Sequence, residues 1–151
     1  MSLRRNVAAA AVVCALGAVS MVAGAQTIRI ANQGDALSLD PHSLNESLQL
    51  SVTANVYETL VGRNKDLSLA PLLATSWKQT SPDVWRFELR KGVVFHDGTP
   101  FTADDVVFSF ARAQGDGSDM KATLSEIKAV RKVGDLAVEI ETNGPFPILP
   151  D

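Results

Sequence analysis

The spacing of hydrophobic and polar positions changes along the chain, and the changes mark its elements. An unbroken apolar run spans Val7 to Val22. From Thr27 to Ala31, Ile28 and Ile30 alternate with Arg29, the period-two pattern of a strand with one buried face. Gln33-Gly34-Asp35 is a loop signal. Leu48, Val52, Val56 and Leu60 then recur every fourth residue with Tyr57 alongside, which predicts a helix from Ser47 to Val61 whose stripe packs on a core. Asn64-Lys65-Asp66 forms a polar turn before Leu67 to Leu73, where Pro71, having no N–H, argues for an edge or irregular strand.

The densest pattern follows. Leu73, Ala74 and Trp77 supply the apolar surface of a strand that turns at Ser81-Pro82-Asp83, since proline presets φ and aspartate bonds its own backbone. Beyond the turn, Trp85, Phe87 and Leu89 alternate with Arg86, Glu88 and Arg90. After a second turn at Asp97-Gly98, Thr102 stands three residues ahead of Asp105. Its hydroxyl can cap a helix whose first turn sets Asp104 and Asp105 against the positive dipole end. Val106, Val107, Phe110 and Ala111 form that helix's apolar face. Gln114 to Asp119 is a glycine-rich loop, Met120 to Lys128 reads as a short helix burying Leu124 and Ile127, and Ala129 to Val133 pairs with Leu136 to Ile140 across a Gly134-Asp135 turn.

Composition alters this picture mainly at the start. Arg4 and Arg5 precede the first apolar run and Ala23-Gly24-Ala25 follows it, the three parts of a secretory signal peptide with cleavage expected after Ala25. The run is too short and alanine-rich for a membrane anchor. Cys14 is the only cysteine of the 151 residues, so the exported chain would have none and would rest on its core without disulfides. Removing the leader leaves 12 basic against 17 acidic residues, a net charge of −5. Nucleic acid is not an expected partner: beyond the leader, adjacent basic residues occur only as the pairs Arg90-Lys91 and Arg131-Lys132, with no long basic stripe interleaved with aromatics.

The stretch from Pro71 to Val106 resembles the extracytoplasmic solute-binding proteins of family 5, which serve ABC importers of peptides, nickel and related solutes. The matching residues are Pro71-Leu72-Leu73-Ala74 with Ser76-Trp77, then Trp85-Arg86-Phe87 with Leu89-Arg90-Lys91-Gly92. Phe95-His96-Asp97-Gly98-Thr99-Pro100 and Thr102-Ala103-Asp104-Asp105-Val106 continue the run, while Leu39-Asp40-Pro41 and Tyr57-Glu58-Thr59-Leu60-Val61 fit flanking family elements. The resemblance implies an α/β protein of the periplasmic-binding-protein type II class. Residues 26–47 would give the first strand and cleft loop of a large lobe, 48–142 an inserted α+β subdomain expected to fold alone, and 143–151 a truncated connection. On that expectation the second lobe is absent and the chain is an amino-terminal fragment with an incomplete cleft.

The same resemblance places Asn45, Glu46 and Ser47 against the ligand; Asn45 and Ser47 are also good helix caps. His42, at the start of the cleft loop, is a further ligand candidate. Some relatives bring an aromatic side chain from the region after Arg112. Here none occurs between Phe110 and Phe146, and Met120 is the candidate substitute. His96 is expected to hydrogen-bond within its own turn. No catalytic constellation is present: there is no G-x-S-x-G elbow, no H-E-x-x-H, and no glycine-rich loop closed by Gly-Lys-Ser/Thr. Asp104 and Asp105, being neighbours on a helix, point apart. The expectation is therefore a non-enzyme with no cofactor and no bound metal. It would be a periplasmic binding protein that closes on an oligopeptide or similar polar solute and hands it to an inner-membrane permease with separate ATPase subunits. An exported sensor or hydrolase domain, or a vestigial fragment without binding activity, is the alternative.

Overall fold

The computed structural model describes residues 27, 29 and 31–151. The leader and the first strand, centred on Ile28 and Ile30, lie outside the described residues. Two compact units are distinguished, Met1–Gln33 and Gly34–Asp151, and the second carries every element below.

These elements are α1 (Ser47–Thr53), β1 (Val61–Arg63), β2 (Leu69–Pro71), β3 (Ala74–Ser81), β4 (Val84–Leu89), α2 (Ala103–Ala113), β5 (Ile127–Lys132) and β6 (Ala137–Thr142). All strand pairings are antiparallel, so the unit is α+β. β1 and β2 form a hairpin in which Pro71 sits opposite Val61 at the strand end, as its missing N–H requires. The other four strands make one sheet in the order β3-β4-β6-β5.

Register explains the core. Trp77 lies opposite Phe87 and Phe87 opposite Val138, while the next row joins Trp85, Ile140 and Val130. Alternation puts both rows on one face, where α2 and Phe101 cover them. Phe87, Leu89, Val138 and Ile140 are each less than 5% exposed. The opposite face is ionic: Arg86 contacts Glu88 at 2.6 Å and Glu139 at 3.7 Å, and Glu141 receives Lys128 and Arg131 at 2.5 Å. Partly exposed pairs of this kind add little individually, but they keep the outer face wet and so fix which face turns inward.

The start of α2 follows the expected chemistry. Thr102 and Asp105 form a capping box, the Asp105 carboxylate accepting from the Thr102 N–H at 2.7 Å and from its hydroxyl at 3.1 Å. Its buried face differs by one residue from expectation. Ala111 is exposed and Ala113 is buried, because Ala103, Val106, Phe110 and Ala113 keep the three-and-four spacing that Ala111 breaks.

Two helices expected from periodicity are shorter or absent. α1 ends at Thr53, not Val61, and its fully buried residues are Gln49 and Thr53; Leu48 and Val52 are half-buried and Val56 is 52% exposed. The Asn55 side chain donates to the carbonyls of Ser51 and Val52, and Thr53 donates to Gln49, so side chains compete with the ladder at the helix end. Thr59 and Leu60 then accept from Leu73 and Ala74, and strand pairing claims the residues that the stripe assigned to a helix. Likewise Met120 to Glu126 is a series of turns, and Ile127 opens β5 opposite Thr142. Gln114 fixes that change by donating to the Ile127 carbonyl at 2.7 Å.

Phe87 joins both rows to α2 and is 2% exposed. Phe87→Ala is expected to cost about 3–5 kcal/mol in urea-unfolding free energy, the range for emptying a buried aromatic site.

Candidate functional site

The loop before α1 is built around Asp40. Its carboxylate accepts the His42 N–H at 3.0 Å, and its carbonyl accepts the Ser43 N–H and hydroxyl, so Asp40-Pro41-His42-Ser43 is a tight turn with proline at the position it prefers. Arg112, in the last turn of α2, reaches this turn from 72 residues away. Its guanidinium grips both Asp40 oxygens, at 2.8 and 2.5 Å, and donates to His42 Nδ1 at 2.7 Å. A guanidinium cannot accept, so Nδ1 carries the lone pair and the imidazole is neutral. The His42 carbonyl in turn accepts the Asp119 N–H at 3.0 Å, joining the loop to the turns that follow α2.

Beside this junction lies an open concavity of about 840 Å³, walled by Leu50, Val56, Tyr57, Phe110, Met120 and Leu124. Its lining is apolar with a few polar groups at the edge, the general make-up of a small-molecule site. Leu50, Val56 and Tyr57 are exposed there at 39%, 52% and 47%.

The structure brings two of the five candidate ligand residues together, since His42 and Met120 both line the concavity. Asn45 reaches its edge by donating to the Thr123 hydroxyl at 2.9 Å. Glu46 and Ser47 are exposed and lie outside the lining. The cap of α1 is Glu46, in extended backbone, and not Asn45 or Ser47. The aromatic walls come from Tyr57 and Phe110, not from the region after Arg112. With Nδ1 occupied by Arg112, His42 has only Nε2 to offer a ligand. Among the described residues, no three His, Cys, Asp or Glu side chains gather as a metal site.

The family-signature residues serve the scaffold. Phe87 and Leu89 are core, Trp77 flanks them, and the Trp85 indole N–H donates to the Phe146 carbonyl at 3.1 Å. Arg90 grips Glu58 with two bonds, at 2.9 and 2.7 Å. Gly92 and Gly98 take φ of +72° and +86°, which only glycine adopts without strain. In the second turn Asp97, not His96, makes the bonds: it accepts from the Thr99 N–H at 2.9 Å and hydroxyl at 2.7 Å. Pro100 bridges to Val94, Phe95 packs edge-on to Phe101 at 6.1 Å, and Asp105 caps α2. Sequence reasoning missed the Asp40–Arg112 pair and the place of Tyr57. The one trace of the pair was a basic residue in a helix's last turn, which a dipole argument already explains.

Residues 68–151 match the model of bacterial extracellular solute-binding proteins, family 5 middle. The glutathione-binding protein GsiB of Pectobacterium atrosepticum is 34% identical over 149 residues, covering 97% of this chain and 29% of that protein. The periplasmic oligopeptide-binding protein OppA of Escherichia coli is 34% identical over 121 residues, covering 73% and 22%. Among solved structures, NikZ from Campylobacter jejuni in complex with Ni(L-His) superposes with a TM-score of 0.68 at 27% identity, over 78% of this chain and 24% of that one. The chain thus spans about a quarter of the length of the curated relatives it matches.

The guanidinium of Arg112, aided by the His42 N–H, holds the Asp40 carboxyl well below the usual carboxylate range. A carboxyl with a depressed folded-state pKa stabilises above its unfolded pKa of about 3.9, and that contribution is lost as pH falls toward the folded value. Asp40→Asn is therefore expected to lower stability at pH 7, and its deficit to be smaller at pH 3, where the unfolded carboxyl is largely protonated and the folded one is not. Urea unfolding of both proteins at the two pH values checks it.

Proposed function

The chain belongs to the bacterial extracellular solute-binding proteins of family 5, and from that premise we propose that it serves as a periplasmic substrate-binding component of an ABC importer. It binds an oligopeptide or similar small polar solute and delivers it to a membrane permease driven by separate ATPase subunits. The match over residues 68–151 carries this reading. The relatives named above, which are binding proteins for glutathione and oligopeptides, support it. Residues 1–25 act as a cleaved leader, residues 26–47 contribute strand and cleft loop, and residues 48–142 are the inserted subdomain.

In this reading the protein binds and does not catalyse. The loop from Asp40 to Ser47 lies along the solute path, with Asn45 held against Thr123, Glu46 and Ser47 exposed, and His42 and Met120 in the concavity wall.

Calorimetry on the protein as its organism exports it, titrated with short peptides, is expected to give saturable binding in the micromolar range or tighter. Asn45→Ala is expected to weaken that binding about tenfold, or about 1.4 kcal/mol, with an unchanged melting temperature because Asn45 is exposed. Absence of binding to peptides, glutathione and metal chelates alike would overturn the function. Amino-terminal sequencing of the exported protein is expected to begin at Gln26; an intact Met1 would overturn the leader.

A further inference from the structure

We propose that Asp40, His42 and Arg112 form an acid-released clasp, which holds the cleft loop on the end of α2 at neutral pH and lets it go when His42 takes a proton. The hydrogen-bond chemistry sets the direction. Arg112 donates to His42 Nδ1 at 2.7 Å, so that nitrogen must offer a lone pair. A proton there would set one N–H against another and place a second positive charge beside the guanidinium. Asp40 cannot readily compensate: one carboxylate oxygen holds Arg112 and the His42 N–H, and the other holds Arg112. To pair with an imidazolium it would have to release the guanidinium, which is the opening itself.

The other charged side chain lining the concavity, Glu58, is held by Arg90 with two bonds and does not reverse this. Asp40 from its own loop favours the protonated ring, and Arg112 from α2 opposes it. Tyr57, across the concavity, acts on Arg112. From the turns after α2 come the Asp119 N–H and the Ser118 hydroxyl, both directed at the His42 carbonyl. Burial first, then Arg112, pushes His42 below its ordinary value.

The sign follows. The clasped form binds fewer protons than the open form, whose His42 titrates near the ordinary value of about 6.5. Clasping is complete above that pH and weakens as pH falls through it, by up to about tenfold per unit until the clasped form itself protonates. Because the same loop leads to Asn45, Glu46 and Ser47, release would also loosen the proposed solute contacts. That consequence alone rests on the function proposed above.

Hydrogen exchange on the solute-free full-length protein, corrected for intrinsic rates, tests the clasp without any ligand. Between pH 7.5 and 5.0 the amides of His42, Ser43 and Asp119 are expected to lose several-fold to tenfold in protection, while those of Phe87 and Val138 hold constant. His42→Gln, whose side-chain oxygen can accept from Arg112 but does not titrate, should keep the protection at pH 7.5 and abolish its pH dependence. Arg112→Met should show low protection throughout. Flat wild-type protection, or a His42→Gln slope equal to wild type, would overturn the proposal. Should the variants fail to fold, nitrogen NMR of His42 in the wild type decides. A neutral ring protonated at Nε2 and titrating below the ordinary histidine value of about 6.5 supports the clasp; a pKa at or above that value refutes it.

Discussion

The apolar face of the four-stranded sheet must be covered, and how α2 covers it sets the position of nearly everything else. Phe87, Val138 and Ile140 leave room for a helix with small residues on its inner face, and Ala103 and Ala113 at the ends of the buried stripe let the backbone approach. Both ends are then tied. At the start, the Ala103 N–H donates to the Asp135 carbonyl and Lys132 reaches Asp104 at 2.6 Å, fastening the helix to the β5–β6 turn. Ten residues, about 14 Å of rise, then carry the chain from Ala103 to Arg112. The helix acts as a spacer between the sheet's turn and the loop before α1, and Asp40 meets a guanidinium whose place is fixed by core packing.

The concavity is a by-product of the same geometry. α1 stops at Thr53 because side-chain bonding ends its ladder and strand pairing claims the residues beyond. The chain then runs past Val56 and Tyr57 with their side chains uncovered, facing Phe110 and Met120. Had the expected helix continued to Val61, Val56 and Leu60 would have packed inward and this wall would not exist.

That contrast defines how far the sequence could be read. Trp85, Phe87 and Leu89 announced β4, and Thr102 with Asp105 announced the start of α2, because each signal involves neighbours within a few residues. The hairpin at Gly134-Asp135 was legible for the same reason, within two residues at either end. The Ser47 to Val61 stripe misled because periodicity records spacing but not competition: a strand partner at Leu73 and Ala74 lies outside any helical window. At the site, His42 and Met120 could be named from a resemblance. The clasp joining His42 to Arg112 spans 70 residues and leaves no local pattern.

The division of labour among these residues accounts for what kind of recognition the chain permits. Its longest recognisable run, from Pro71 to Val106, is occupied with a core row, two positive-φ glycines, an Asp97 turn, a two-bond ion pair and a capping box. Each restricts residue type by backbone geometry or packing, whatever side chains line the concavity. The concavity wall makes weaker demands: a surface half open to solvent accepts Met120 where another protein could place an aromatic ring, with little cost to the fold. Scaffold and concavity lining are thus written in different residues, and the scaffold's are the ones held to a pattern. Family membership therefore follows readily from this sequence, while the side chains of the concavity are ones that the fold leaves free to vary.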